Sequence, residues 1–577
     1  MHPPILHRER KVILKTLALA VTLWILPALA GAADLIVGVV HDTDGLPVSG
    51  AQVILRQAGG GPAGSGRTDG AGTFAIESSA DAASVDIRCT YCLGMTVTRV
   101  PGLPVLAIVR RFAALRDRGI SAADARVLPY GSASAMAALM PFVVATGGTI
   151  SDRGLAGGRG SVVSDGFGLY RTSDGVDLGT AIPDHDTATI TESDPTVANA
   201  YDANSAGGLF SIDTLDQTAG LARVDGSTAT DVAIRGGNDV RGSFATNGGA
   251  YAATRGVLDG TLPAAGGTLD VRALMATGMG ANGDGFATSF VVPVRAASLA
   301  ASVSMTRTAD INGPEDDAIA ALSLQAGAIT YGVRGQRTTG FVLYGTGAQD
   351  DLRAYAQAGF NLGSTHVFAS LAAAHGSEVL FGRSSALGAV LPVLSVATPI
   401  APAFTVHADS VAALLAAPLY ELYAQPNGTA MGRSQLLDAG IGFDDGNRVR
   451  IDVMAFRQTV SGGGYGTTAG SGVSSVWQIA PSLALRSWFL ISSNSGGYTA
   501  DYDQYYGGPA AFAPGTMNLD RNVSWLTAGN VLRVDAIWRS GKLEGDVSVP
   551  VAAHLRIVAG TRRDGTARVY TAGLLWP

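Results

Sequence analysis

The sequence predicts a mainly β protein with a small N-terminal β-sandwich, a glycine-rich α+β domain and a C-terminal antiparallel transmembrane β-barrel. Glycine contributes 76 of the 577 residues, and many glycines separate short β-branched runs, a composition typical of sheets joined by tight turns. Beyond the N-terminus, the longest uncharged apolar stretch is 386–406, and Pro392, Pro399 and Pro402 interrupt it. Because each proline removes a backbone donor, no membrane-spanning helix is expected there.

The composition excludes several classes of protein. Hydrophobic residues make up 47% of the chain, charged residues only 15%, and the net charge is −7, whereas a typical soluble domain has about 25% charged residues. A chain this apolar is not disordered. With a pI near 5.6 and no basic stripe, it is not expected to bind nucleic acid. Its length allows two or three domains.

The N-terminus has the pattern of a secretory signal peptide, predicted at 1–32. Basic residues from Arg8 to Lys15 precede an apolar segment at 17–29. Ala28-Leu29-Ala30 or Ala30-Gly31-Ala32 then offers a small-residue cleavage site. The alternative is a membrane anchor, for which the apolar segment is short. Either way the chain is predicted to be exported.

The chain has two cysteines, Cys89 and Cys92, in the sequence C-T-Y-C. A local disulfide is expected in an oxidising compartment. A zinc site requires four ligands, and no pair of histidines lies close in sequence. A redox motif remains an alternative, although no helical pattern follows.

Residues 35–100 are predicted to form the β-sandwich. An apolar strand ends at Asp42, a turn follows at Asp44-Gly45, and an alternating strand resumes at 52–56. A pattern of glycines, acidic turn residues and apolar residues runs through this segment: Gly38, Asp42, Gly45, Pro47, Gly50, Ala51, Val53, Thr68, Asp69, Gly70, Gly72 and Phe74. This pattern resembles the carboxypeptidase regulatory-like (transthyretin-like) domain, which often precedes the plug of outer-membrane receptors and is not catalytic.

Residues 138–220 carry a series of short motifs in a fixed order. Residues 137–144 read A-A-L-M-P-F-V-V, with Phe142 at a position where the family described below usually has glycine. Glycine-rich turns, an acidic turn and a closing glycine pair follow: Arg153, Gly154, Gly157, Gly158, Arg159, Gly160, Asp174, Gly175, Gly207 and Gly208. In order and spacing, these motifs resemble the plug of TonB-dependent outer-membrane receptors. The alternative, a phosphate-binding loop at 154–160, lacks the required Lys-Ser/Thr pair.

The resemblance implies a receptor in the cell outer membrane that takes up a scarce small ligand through a plugged barrel and uses no cofactor. Its partners would be outer-membrane lipid and a TonB-type energy-transducing protein of the inner membrane. In this family an apolar strand before the plug, the TonB box, pairs with that protein by strand addition. The predicted connector, 101–137, offers one candidate run: Pro104, Val105, Leu106, Ala107, Ile108 and Val109. An ordinary linker strand is the alternative.

Candidate ligand contacts are few, and no catalytic set is present. Asp184, His185 and Asp186 would contact a ligand if they lie at the plug apex, but a solvated loop is the alternative. Asp174 and Asp177 lack the full set of calcium ligands. The sequence contains no H-E-x-x-H metal motif and no G-x-S-x-G nucleophile motif. The chain is therefore not expected to be an enzyme.

Residues 221–577 show the alternation expected of a transmembrane barrel. In 448–457, Arg450 and Asp452 fall on one face of the predicted strand, and Ile451 and Val453 on the other. A plugged barrel has about 22 strands of about 9–11 residues, which need roughly 200–240 residues. The segment therefore holds 22 strands or fewer with short loops. The same alternation suits a soluble sandwich or propeller, so a secreted or surface-attached binding protein is the rival hypothesis.

Overall fold

The computed structural model describes residues 34–576 with gaps, the longest of which are 43–47, 112–117, 129–135, 154–160, 170–186, 194–207, 248–252, 417–430 and 496–515. The predicted signal peptide lies outside the described residues. Three parts follow one another along the chain: a sandwich, a plug and a barrel.

The N-terminal part is a sandwich of two four-stranded sheets, with strand orders β4-β1-β8-β6 and β3-β2-β5-β7. Alternate residues of each strand point between the sheets, where Ile36, Phe74, Val85 and Ile87 form its core. The strands are β1 (Asp34–Asp42), β2 (Gln52–Arg56), β3 (Pro62–Arg67), β4 (Thr73–Ser78), β5 (Ser84–Arg88), β6 (Cys92–Leu93), β7 (Met95–Thr98) and β8 (Val105–Arg111).

Strand β8 corrects the predicted boundaries, because it lies in the segment that the sequence assigned to a connector. It pairs in parallel with β1, with Gly38 opposite Val105 and Asp42 opposite Val109. Val105, Ala107 and Val109 are buried in the sandwich core. The continuous apolar run at 104–109 is consistent with a strand, but sequence alone does not reveal which sheet such a strand joins.

The plug is built from a five-stranded sheet, of order β13-β12-β15-β14-β9, and a two-stranded hairpin, β10-β11. Its first strand also lies in the predicted connector, so the plug begins earlier than the sequence suggested. The strands are β9 (Arg118–Ile120), β10 (Val143–Thr146), β11 (Thr149–Asp152), β12 (Ser161–Ser164), β13 (Phe167–Leu169), β14 (Thr187–Ser193) and β15 (Leu209–Thr214).

The C-terminal part is a closed antiparallel barrel whose described strands number 22, from β16 to β37. It closes where β16 pairs with β37, with Gly220 opposite Trp576. The strands are β16 (Ala219–Asp225), β17 (Ala229–Gly237), β18 (Val240–Asn247), β19 (Ala253–Ala264), β20 (Gly267–Gly278), β21 (Ala281–Val294), β22 (Ala297–Asp310), β23 (Gly313–Ala326), β24 (Ile329–Val342), β25 (Gly345–Leu362), β26 (Thr365–Leu380), β27 (Arg383–Ala401), β28 (Phe404–Ala416), β29 (Met431–Asp444), β30 (Val449–Gly462), β31 (Thr467–Ala480), β32 (Leu483–Ser495), β33 (Thr516–Ala528), β34 (Arg533–Arg539), β35 (Lys542–Ala552), β36 (Leu555–Asp564) and β37 (Ala567–Trp576). The predicted fold class is confirmed.

The barrel wall has a polar inner face and an apolar outer face. On β30, Asp452 is buried on the inside and Val453 is exposed on the outside, as the alternation predicts. Buried charged side chains of the inner face include Arg272, Asp317, Arg334, Arg353, Glu378, Asp409, Asp438, Asp535 and Asp546. Exposed apolar side chains of the outer face include Leu258, Met275, Leu322, Leu324, Tyr331, Val333, Leu352, Leu394 and Leu437. This is the distribution that a barrel surrounded by lipid requires.

The two ends of the barrel differ. At one end, here called the upper end, the connections include 417–430 and 496–515, while others such as 226–228 and 279–280 are short. At the lower end the connections are all short, for example 238–239 and 265–266. In the part of the chain that the structure describes, no helix is long and apolar enough to cross a membrane.

The plug lies inside the barrel. Its buried residues Leu128, Met140, Phe142 and Ile150 belong to one hydrophobic cluster with inward-facing barrel residues. Those barrel residues are Phe368, Val393, Val411, Leu436, Met454, Phe456, Trp488, Leu490, Val523, Trp525 and Ile537. The inner face of the barrel therefore has polar positions and, in addition, apolar positions that pack against the plug.

A charge on the outer face tests the lipid contact. Val453→Arg should lower the free energy of unfolding in lipid vesicles by about 2–4 kcal/mol, because it places a guanidinium in hydrocarbon. Thr459→Arg is the control: Thr459 is exposed on the same face of β30 but nearer the upper end, so its cost should be about 0–1 kcal/mol. Denaturant titration in vesicles measures both. Equal costs would contradict the membrane position.

Candidate functional site

The hairpin β10-β11 is held at its base by two residues in an unusual backbone conformation. Phe142 has φ 66° and Arg153 has φ 57°, and the Arg153 amide donates a hydrogen bond to the Phe142 carbonyl at 2.9 Å. Left-handed backbone in a residue other than glycine costs of order 1–3 kcal/mol and is concentrated at functional sites. Both side chains contact the barrel wall, so contacts between plug and barrel offset the strain.

Arg153 joins the plug to the barrel through ion pairs. Its guanidinium pairs with Asp152 of the plug, with Nε 2.6 Å from Oδ2, and with Asp438 on strand β29 of the barrel. The guanidinium carbon also lies 5.4 Å from the centre of the Phe456 ring, within range of a cation–π interaction. The side chains of all three ionic partners are at most 1% exposed.

The burial of this ion pair determines how much it contributes to stability. Transferring charges from water into the protein is costly, so a buried pair adds little net stability, whereas removing one partner leaves an uncompensated charge and is strongly destabilising. The pair therefore fixes where the plug docks more than it stabilises the fold. We call Arg153, Asp152 and Asp438 the plug lock.

Phe142 provides the apolar half of the same contact. Its ring packs edge-on against Trp488 of β32, with centroids 6.2 Å apart. The Trp488 indole in turn donates a hydrogen bond to the Leu139 carbonyl at 3.2 Å. On β31, Gly472 makes room for the ring, because a Cβ there would lie 2.5 Å from Cε1 of Phe142.

A second polar contact lies on the barrel wall beside the lock. His407 of β28 reaches across Gly440 of β29 to Asp452 of β30, with Nε2 2.9 Å from Oδ1. A side chain at Gly440 would meet the imidazole, since its Cβ would lie 2.4 Å from Cε1 of His407. Gly440 is therefore required for the pair to form. Among the described residues, no three His, Cys, Asp or Glu side chains are grouped so that they could hold a metal ion.

The structure brings together two of the residues that the sequence selected. Arg153 is in the plug lock, and Gly208 lies against it: Gly208 has φ 104°, and a Cβ there would be 3.0 Å from Cβ of Asp152. The other selected plug residues lie outside the described part of the chain, so their roles stay predictions. They are Gly154, Gly157, Gly158, Arg159, Gly160, Asp174, Gly175, Asp184, His185, Asp186 and Gly207.

The cysteine prediction also stays open. Cys92 lies in β6, opposite Arg111 of β8, whereas Cys89 lies outside the described residues.

The barrel half of the lock is not evident from the sequence. Asp438, Gly472 and Trp488 occur in ordinary alternating strands, and nothing in the local sequence separates them from other inner-face residues. One signal was present in the plug: Phe142 occupies a position where the resembled family usually has glycine. A bulky residue at a position with positive φ requires a specific contact to hold it.

Several solved structures have an architecture similar to that of this chain. No protein-family model and no curated protein sequence matches the chain. The siderophore receptor PirA from Acinetobacter baumannii is 12% identical, with a TM-score of 0.61 over 80% of this chain and 98% of that one. The alcaligin outer-membrane receptor FauA from Bordetella pertussis is also 12% identical, with a TM-score of 0.60 over 86% of this chain and 97% of that one. The ferric enterobactin receptor PfeA from Pseudomonas aeruginosa is 12% identical as well, with a TM-score of 0.61 over 80% of this chain and 98% of that one.

The chain has the fold of a TonB-dependent outer-membrane receptor. At these identities the likeness establishes the receptor fold and not the ligand. The sandwich has the two-sheet architecture expected of a carboxypeptidase regulatory-like domain, but membership of that family stays a prediction.

The plug lock predicts a large effect of a small change. Asp438→Asn should weaken plug docking by about 3–5 kcal/mol, because Arg153 loses a buried carboxylate. Amide hydrogen exchange of the full chain in lipid bilayers should then be faster in β10 and β11.

The matched control is Asp444→Asn on the same strand. Asp444 pairs with Arg450 at 3.0 Å, and both side chains are about one-third exposed, so this change should cost about 0–1 kcal/mol. Equal exchange in the two variants would contradict the lock.

The fit of Phe142 against Gly472 gives a second prediction. Gly472→Ala should cost about 1–3 kcal/mol through overpacking and should disturb the emission of the neighbouring Trp488. Adding Phe142→Leu should restore part of the loss, because the smaller side chain makes room for the new methyl group. Gly388→Ala is the control, since nothing lies within 4 Å of a Cβ there. If both glycine variants behave alike in thermal unfolding, the proposed fit is wrong.

Proposed function

We infer that this chain is a TonB-dependent transporter that takes up a scarce ligand through its plugged barrel with energy supplied from the inner membrane. The observation that carries the proposal is a plug held inside a closed barrel of 22 described strands by a buried ion pair. Opening a passage requires Arg153 to leave Asp438, or the plug to rearrange around that pair. Because separating a buried ion pair is costly, such a gate needs an external source of work.

Localisation follows from the barrel surface. The exposed apolar side chains of the outer face fit lipid, and the predicted signal peptide provides export. Outer-membrane barrels have short periplasmic turns and longer extracellular loops. The lower end would then face the periplasm, and the upper end, with 417–430 and 496–515, the outside.

The energy-transducing partner would pair with strand β8. Val105, Ala107 and Val109 are committed to the sandwich core, so the candidate TonB box is not a free segment in this structure. Beyond β8, however, the only described strand is β6, which pairs with Arg110 and Arg111 alone. An open sheet edge of this kind accepts an added strand. Leu106, 64% exposed on the outer face of the same sheet, would give an incoming strand an apolar contact.

Only a few segments of the chain are long enough or well placed to form the ligand site. Most upper-end connections are too short to enclose a ligand, which leaves 417–430, 496–515 and the plug segment with Asp184, His185 and Asp186. The similar structures are of a siderophore receptor, an alcaligin receptor and a ferric enterobactin receptor. A ferric siderophore is therefore the first ligand class to test.

Uptake of radioactive iron tests the proposal. The full chain is expressed in a Gram-negative host that lacks its own siderophore receptors, and ferric enterobactin and ferric alcaligin are supplied in turn. We expect the protein in the outer-membrane fraction, with iron accumulation that stops when a protonophore collapses the proton gradient or when the TonB-type protein is deleted.

Two outcomes would overturn parts of this account. Recovery of the chain as a soluble periplasmic or secreted protein would refute the membrane transporter and favour a secreted binding protein. Binding of either chelate at the cell surface without energised accumulation would favour a surface-attached binding protein.

A further inference from the structure

The plug has a second ionic contact with the barrel, at the lower end. Asp124 lies between β9 and the hairpin β10-β11, and its Oδ1 accepts a hydrogen bond from Nη2 of Arg533 at 2.6 Å. Nη2 of Arg486 lies 3.6 Å from the other carboxylate oxygen. The Asp124 side chain is 10% exposed. One carboxylate of the plug thus lies between two arginines of the barrel.

The barrel holds both arginines in place independently of the plug. Arg533 donates through Nε to Asp535 at 2.6 Å. Asp535 also accepts hydrogen bonds from the Trp525 indole at 2.9 Å and the Thr527 hydroxyl at 2.8 Å. Arg486 stacks on the Trp525 ring, with 4.5 Å between the guanidinium carbon and the ring centroid. Such prior ordering reduces the entropy lost when a carboxylate binds.

Charge complementarity indicates that Asp124 completes this group. Arg486, Arg533 and Asp535 together carry one net positive charge at the inner wall of β32 and β34. Asp124 neutralises it. The Nη1 atom of Arg486 is buried without a hydrogen bond among the described residues, and Asp124 is the ionic partner of this guanidinium through Nη2. Beside this contact, Val127 packs against Val558 of β36.

The Asp124 contact and the plug lock involve different parts of the plug. Arg533 begins β34 and Arg486 is near the start of β32, so both lie at the lower end. Strand β8 ends at Arg111, and Asp124 precedes Arg153 along the chain. A displacement that enters from the sandwich therefore reaches Asp124 first.

We propose that Asp124, held between Arg486 and Arg533, is a latch that controls the first step of plug movement separately from the plug lock. The proposal rests on the transport function in one respect, namely that the plug moves. Arg486 and Arg533 are positioning residues: they hold the entry segment of the plug against the wall and contact no ligand. Release of the latch frees the segment around Asp124, while Arg153 still holds the hairpin.

Hydrogen exchange of the full chain in lipid bilayers tests the latch. The amides of Val127 and Leu128 donate to the Asp124 carbonyl, each at 3.2 Å, and report the local turn. Asp124→Asn removes the charge that both arginines contact, and exchange at these two amides should rise roughly 10- to 100-fold. Exchange in β10 and β11 should stay within about 2-fold, because the plug lock is unchanged.

Two variants make the result specific. Asp124→Glu keeps the carboxylate and should restore most of the protection. Glu544→Gln alters another ion pair of the same wall, Arg539 with Glu544 at 3.2 Å, and should leave Val127 and Leu128 unchanged. The proposal is overturned if Asp124→Asn leaves these amides protected, or if it accelerates β10 and β11 equally, since a uniform rise would mean that Asp124 only stabilises the whole plug.

Uptake measurements separate this proposal from the transport proposal. With a partly collapsed proton gradient, Asp124→Asn should take up more ferric siderophore than the unmodified chain, because the first step needs less work. Equal uptake under these conditions would overturn the latch as a control of gating. If no variant transports any chelate, the transport function fails, while the exchange data still decide whether the latch exists.

Discussion

A buried guanidinium between two carboxylates fixes the arrangement of this molecule. Arg153 belongs to the plug and Asp438 to the barrel. Either charge, if buried without the other, would strongly destabilise the folded protein. The ion pair gives the plug one docking position within a wide barrel, and it accounts for a left-handed backbone at Arg153 that would otherwise be unfavourable. Under the proposed transport function, separating this buried pair would account for the work that opening the barrel requires.

The barrel wall is shaped around the plug at particular positions. Gly472 leaves space for the Phe142 ring, Gly440 lets His407 reach Asp452, and the Trp488 indole donates to a plug carbonyl. The contacts that reach the plug lie on neighbouring strands, β29 to β32, so one sector of the wall holds the hairpin. Arg486 and Arg533, on β32 and β34, hold the entry segment at the lower end. The plug is thus attached to the wall through two discrete sets of contacts.

The sequence predicts much of the fold, but of the plug lock it identifies only Arg153. Alternation along β30 identifies Val453 as outward and Asp452 as inward, because a strand has a period of two. The same pattern cannot show that Met454 and Phe456, also inward, face the plug and not open lumen. Nor does it assign β8 to the sandwich, since pairing partners are chosen over long sequence separations. Arg153 was found through its glycine-rich setting, whereas Asp438 lies 285 residues further along the chain, and no local feature marks it.

The central claim is that ligand passes only when the plug moves away from this sector of the wall. A reversible covalent link between Phe142→Cys and Gly472→Cys, in a chain whose Cys89 and Cys92 are replaced by Ser, tests it most directly. The measurement is energised uptake of a ferric siderophore that the unmodified chain transports, before and after a reducible thiol crosslinker joins the two positions. The account predicts that crosslinking abolishes uptake and that reduction restores it. Undiminished uptake with the crosslink in place would contradict it.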